Sequence, residues 1–234
     1  MWSLVNIKFW VRAYRHLNTD GEAHNPPYSS RESDPMYSIH IDSGHRKPLK
    51  DLLDTKVTGV SSYYLKPEDG DPIVEIPLIN LGDLVNGTIN IETVRITRVR
   101  NTGKLETDTV QVGDVALTLR GPPFRAAVAD SDIAGAALSA NLVGLRCSDQ
   151  IKPEILAAWF NSSAGQRALA TRAGGSTLMG IPLQELLQIE IPVPPIAQQE
   201  LLSRYLALTT EHLRILRKEQ ALLDSIVDSM MKSL

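Results

Sequence analysis

The chain has 234 residues, of which 24 are Lys or Arg and 27 are Asp or Glu, for a formal charge of −3. That balance excludes the global basic field that draws a protein to nucleic acid or to an anionic membrane. A single cysteine, Cys147, excludes an internal disulfide framework and fits a reducing compartment. With no signal-peptide pattern and no apolar run near the roughly 18 residues that cross a bilayer, a cytoplasmic protein is expected.

Val5, Ile7, Phe9, Val11 and Ala13 fall on one parity and Asn6, Lys8, Trp10, Arg12 and Tyr14 on the other. Period two predicts a strand with one apolar face, and the basic-aromatic face reads as the solvent side of an edge strand before it reads as a base-stacking surface. Residues 18–35 turn to Asp, Gly, Asn, Pro and Ser, a loop or linker. Within it, Asn25-Pro26-Pro27-Tyr28 resembles the adenine-binding signature of DNA amino-methyltransferases. Those enzymes need a glycine-rich cofactor loop upstream, and here Gly21 is the only glycine among the 24 preceding residues. The tetrapeptide therefore reads as a Pro-rich turn, and residues 1–40 as an N-terminal strand and Pro/Ser-rich loop.

Residues 37–41 alternate as a strand, and residues 48–53 begin a short helix. Ser61, Ser62, Tyr63 and Tyr64 make a polar aromatic loop, Ile73–Ile79 a strand, and Asn86-Gly87 a tight turn. Residues 95–104 form the most basic window, with Arg95, Arg98, Arg100 and Lys104 and no acid. On a strand and hairpin around Asn101-Thr102-Gly103 these side chains would reach phosphates or guanine edges; the other reading is an ordinary solvated hairpin. Gly113-Asp114 turns into a strand at residues 115–118. Arg120-Gly121-Pro122-Pro123-Phe124-Arg125 is a constrained loop with two more arginines, and residues 126–129 and 139–146 resume the sheet.

The second half changes character. Residues 153–172 read as one helical region, with Pro153 near its start and Ile155, Leu156, Trp159 and Phe160 on one face. Residues 182–188 form a helical turn, residues 189–195 an extended segment, and Pro192, Pro194 and Pro195 act as a stiff elbow that delays helix until Ile196. From there Leu202, Leu206, Thr209, Leu213, Leu216, Gln220, Leu223, Val227, Met230 and Leu234 recur in steps of four and three. Eight of these ten are apolar, the seam of a two-helix coiled coil. Burying it would contribute on the order of 12 to 24 kcal/mol gross, before ordering costs. The dimerisation residues expected from it are Leu202, Leu206, Leu213, Leu216, Leu223, Val227 and Met230. The alternative is a helix folded back on its own globule.

The order Ile76-Pro77, Gly113-Asp114-Val115, Arg120-Gly121, Gly175-Ser176-Thr177, then Ile191-Pro192-Val193-Pro194-Pro195 with Gln198-Gln199 opening a long heptad helix, resembles the specificity subunit of type I restriction-modification enzymes. The resemblance covers residues 47–234. It implies an α+β fold, a globular mixed-sheet target recognition domain over residues 41–195 that reads part of a split site in double-stranded DNA, followed by a coiled-coil spacer helix over residues 196–234. Full-length members carry two such units with antiparallel helices, whereas this chain shows one globule, one elbow and one helix. A half-length form that pairs with a second copy is therefore expected, reading two inverted copies of one short sequence. The family further implies docking of DNA methyltransferase (modification) subunits and, in some assemblies, restriction subunits, so this chain would itself catalyse nothing.

The residues agree with a binding role. His16, His24, His40, His45 and His212 have no ligand spacing with each other or with Cys147, so no metal is expected. Neither a phosphate-cradling glycine loop nor a Ser triad context is present, and no cofactor is expected. The DNA-contact candidates are Arg95, Arg98, Arg100, Lys104, Arg120 and Arg125, with Tyr63 and Tyr64 beside them. Two rival functions stay open: a dimeric scaffold of a defence complex that does not read DNA, and a fragment of a fused methyltransferase.

Overall fold

The computed structural model of the chain describes residues 45–61, 63–101, 105, 108–174 and 180–232. The expectations for residues 1–41, Ser62, Thr102 to Lys104, Gly175 to Thr177 and Leu234 lie outside them.

The main sheet is antiparallel, in the order β2 (Leu53–Thr58), β10 (Leu142–Cys147), β7 (Val115–Thr118), β8 (Ala126–Val128). All four residues of β7 are buried, which explains why its sequence is almost continuously apolar rather than alternating. Val115, Leu117, Val143 and Leu145 face one core, where they meet Leu156, Phe160 and Leu169. Ala116, Ala127 and Leu142 face a second core with Val57, Ile79, Leu84 and Leu138. Fully burying a side chain such as Phe160 or Leu156 contributes about 1.5–3 kcal/mol.

A row of small residues sets how closely the second core approaches the sheet. Val57, Gly144, Ala116 and Ala127 are successive cross-strand partners. A Cβ on Gly144 would lie 2.9 Å from the Val57 Cβ and 3.2 Å from the Leu138 Cδ1. Only glycine fits there.

A second sheet runs β6 (Arg95–Arg100), β3 (Ile73–Ile79), β9 (Ala137–Leu138), with β3–β6 antiparallel and β3–β9 parallel. The basic strand pairs with the strand before it; the hairpin expected around Asn101-Thr102-Gly103 falls mostly outside the described residues. Val60, Leu78, Val99, Leu105 and Ala137 form its core. Between the sheets, β4 (Leu84–Val85) and β5 (Thr88–Ile89) close around Asn86 and Gly87, whose φ values of 52° and 84° give the expected Asn-Gly turn. Of residues 139–141, expected as strand, Ser139 makes an isolated parallel bridge with Val60, and residues 140–141 form the turn that leads into β10.

Helix α1 (Pro153–Asn161) and helix α2 (Ser163–Arg172) replace the single helical region expected. Ser162 breaks it: its backbone is extended, its hydroxyl donates to Trp159 O at 2.7 Å, and it accepts from Gly165 N at 3.1 Å as the N-cap of α2. After the short α3 (Leu183–Leu187), β11 (Glu190–Val193) pairs antiparallel with β1 (His45–Pro48), so the proline elbow is held as an edge strand. Helix α4 (Ile196–Lys232) then runs for 37 residues, about 55 Å at about 1.5 Å per residue.

Candidate nucleic-acid interface and helical rod

The three arginines of β6 stand in different surroundings that strand alternation alone does not assign. Ile96, Arg98 and Arg100 share one parity, opposite Pro77, Glu75 and Ile73 of β3. On the opposite parity only Val99 enters the core, while Thr97 is half-buried and Arg95 lies in solvent. Arg95 and Arg98 are exposed, and between them Ile96 is 70% exposed, an apolar side chain on an otherwise basic strand.

Arg100 departs from the expected role. It is 8% exposed and holds a loop in place rather than projecting into solvent. Its guanidinium lies 4.1 Å from the Tyr63 ring centroid, pairs with Asp71 at 2.7 Å, and donates to Lys66 O at 3.3 Å. Burial works against its charge, but Tyr63, Asp71 and Glu68 more than offset it, so its pKa lies above the ordinary value. Arg100 therefore fastens residues 63–71 onto the end of β6. Tyr63 gives one ring face to that arginine and meets Tyr64 edge-on at 5.5 Å, while Tyr64 is half-buried against the small core of this sheet.

Arg120 and Arg125 belong to the other sheet, in the loop from β7 to β8, and both are exposed. Two amide side chains from the helices position this loop, a feature the sequence reading missed. Asn161 accepts from Ala126 N at 2.9 Å and donates to Ala126 O at 2.8 Å. Gln166 accepts from Phe124 N at 3.1 Å and donates to Phe124 O at 2.8 Å. Each amide thereby pairs with the backbone as a neighbouring strand would. Arg125 is flanked by two fixed residues, and its own N–H donates to Thr118 Oγ1 at 2.8 Å. The candidates therefore fall into two groups. Tyr63, Tyr64 and Arg100 come together with β6, whereas Arg120 and Arg125 stand on a separate rigid loop.

The seam of α4 also divides. Leu202 and Leu206 are half-buried and pack against the main core, so they are engaged at home in a way the coiled-coil reading did not foresee. Leu213 is half-buried, while Leu216, Leu223, Val227 and Met230 are exposed. Beside this seam runs a second stripe in heptad register, interrupted by His212 and Glu219: Leu201, Tyr205, Leu208, Ile215, Leu222 and Ile226, all exposed, Leu208 at 72%. A single-seam reading passed over it, although its spacing is visible in the sequence. Among the described residues no group of three or more His, Cys, Asp or Glu is placed to hold a metal ion, and no helix is long and apolar enough to cross a membrane.

No protein-family profile matches this sequence, and no curated protein matches it. Solved structures do. The HsdS subunit from Thermoanaerobacter tengcongensis is similar over 80% of this chain and 42% of its own, with a TM-score of 0.51 and 19% identity. A chain from a structure describing complex assembly and conformational transition of the type I restriction-modification system is similar over 80% of this chain and 43% of its own, with a TM-score of 0.53 and 20% identity. The chain thus has the α+β fold of these proteins and spans less than half of their length.

Proposed function

We propose that this chain is the non-catalytic DNA-recognition subunit of a type I restriction-modification assembly or a related DNA-modification complex, acting in the cytoplasm. Its globule would read one half of a two-part site in double-stranded DNA. Its helix would pair antiparallel with that of a second copy, so the site would be two inverted copies of one short sequence at a fixed spacing. The observation that carries this reading is the 37-residue helix whose apolar stripes run on beyond the α+β globule and stay exposed among the described residues. Two adjacent stripes support more than one partner helix, one from the second copy and others from methyltransferase subunits, with restriction subunits joining in some assemblies. Arg95, Arg98, Arg120, Arg125 and Lys104 remain the proposed DNA contacts, with Tyr63 in a supporting place.

The test has two stages. Sedimentation of the purified chain at micromolar concentration should give a dimer, and selection from random duplexes by the chain with its modification subunits should enrich an inverted repeat with one gap length. A monomer at that concentration removes the paired-helix reading. A dimer that enriches no sequence leaves the scaffold reading in its place.

A further inference from the structure

Gln199, in the first turn of α4, is 1% exposed, an unusual burial for an amide side chain. Its side chain uses both donors and one acceptor direction to join three segments. Lys152 N donates to Gln199 Oε1 at 2.8 Å, and Gln199 Nε2 donates to Gln150 O at 2.9 Å and to Pro194 O at 2.8 Å. Lys152 is the N-cap of α1 and Pro194 lies in the proline elbow. One side chain therefore binds the start of α1, the turn before it and the elbow to the start of α4. One turn further on, Ser203 Oγ donates to Glu154 Oε2 at 2.9 Å, and Leu202 and Leu206 press on the core.

From these contacts we infer that Gln199 is a positioning residue: it fixes the direction in which α4 leaves the globule, making the junction a bracket rather than a hinge. The helix beyond Leu206 is a lever of about 39 Å at about 1.5 Å per residue. A tilt of about 10° at its base, the lower end of the about 10–20° within which a supporting shell has to hold a functional geometry, moves the tip by about 7 Å. That displacement is about two base-pair steps of DNA at about 3.4 Å each. The inference rests on the proposed function only for its consequence, which is that Gln199 sets how sharply a spacer length is chosen. The geometry itself is testable without DNA.

The experiment measures the angle directly. In a full-length chain with Cys147→Ala, spin labels are attached at Ala134→Cys on the globule and Ser225→Cys on the helix, both exposed positions, and diluted with excess unlabelled chain so that only distances within one chain are read. Wild-type Gln199 should give one narrow distance distribution. Gln199→Met, which keeps the volume and loses the three hydrogen bonds, should broaden or shift it by about 5 Å while helix content by circular dichroism is unchanged, since about 28 Å of lever separates Ser225 from Leu206. An unchanged distribution in a folded Gln199→Met chain overturns the inference and assigns the angle to the apolar contacts. Should that variant not fold, Gln199→Glu carries the same test. It keeps the acceptor facing Lys152 N–H, loses both donors at pH 7.5, and regains one donor when protonated. A broad distribution at pH 7.5 that narrows towards pH 5 supports the positioning role, and a wild-type distribution at both pH values overturns it. Failure of DNA selection with a narrow wild-type distribution would refute the proposed function and leave the bracket standing.

Discussion

Asp114, at the foot of β7, is 1% exposed and receives two parallel hydrogen bonds from Arg146, at 2.9 Å from Nε and 2.8 Å from Nη2, with a third from Gln111 N at 2.8 Å. A carboxylate removed from water is tolerable only because its lone pairs are filled. Taking away one partner leaves the other buried and uncompensated, which costs more than the pair itself contributes. Replacement of Arg146 by Ala is therefore expected to lower unfolding free energy by about 3–5 kcal/mol, read from the midpoint of a urea transition with unchanged slope. Cys147, next along β10, gives a second residue-level prediction. Burial first, then Asp114, Glu154 and Asp54, pushes its pKa up to about 12. At pH 8 its thiolate fraction is on the order of a thousandfold below that of a thiol with the ordinary pKa near 8.5, so iodoacetamide should label the native chain about a thousandfold more slowly than the urea-unfolded chain. Because the folded pKa is raised, the contribution to stability is complete below pH 8.5 and is lost as pH climbs towards 12.

At the scale of elements, β6 divides its arginines between two tasks, and substitution should separate them. Arg95 and Arg98 are exposed, so changing both to Ala should leave thermal unfolding almost unchanged. If they neutralise phosphates, the double variant should flatten the plot of log affinity against log salt by about 1.8 for two contacts, measured by fluorescence anisotropy of a labelled duplex with the assembled complex. An unchanged slope would remove this strand from the reading surface. Arg100→Ala should instead lower the melting temperature even without DNA, since residues 63–71 lose their fastening. That distinction was not legible in the sequence. All three arginines sit in one basic window, and the partners that draw Arg100 inward, Tyr63, Glu68 and Asp71, lie about thirty residues upstream. Local signals were legible where chemistry is local. Asn-Gly announced the β4–β5 turn, and the proline elbow fixed where α4 starts. The break at Ser162 was missed because apolar periodicity continues across it, and it is a serine hydroxyl contacting backbone that ends one helix and caps the next. The strand-like roles of Asn161 and Gln166 depend on pairing with backbone more than thirty residues away.

At the scale of the whole molecule, α4 changes its work along its length. Up to Leu206 it belongs to the globule, through Gln199, Ser203 and two half-buried leucines. Beyond that point most of its apolar side chains lie exposed among the described residues, and burying what Leu216, Leu223 and Val227 still show to solvent would contribute, for each, a part of the about 1.5–3 kcal/mol of a full burial. Substitutions on the two halves should therefore fail in different ways. Leu216→Lys with Leu223→Lys places two charges one heptad apart on the projecting seam. That variant should sediment as a monomer at concentrations where the parent chain is a dimer, with the globule's urea transition retained, because neither side chain packs on the core. Leu206→Lys should destabilise the globule, since a lysine there faces the main core. A parent chain that melts at the same temperature over a hundredfold range of concentration would contradict pairing through this helix, because dissociation coupled to unfolding makes melting depend on concentration. If melting does depend on concentration and the double lysine variant abolishes that dependence, the projecting half of α4 is the dimer contact and the anchored half carries its orientation to the two globules.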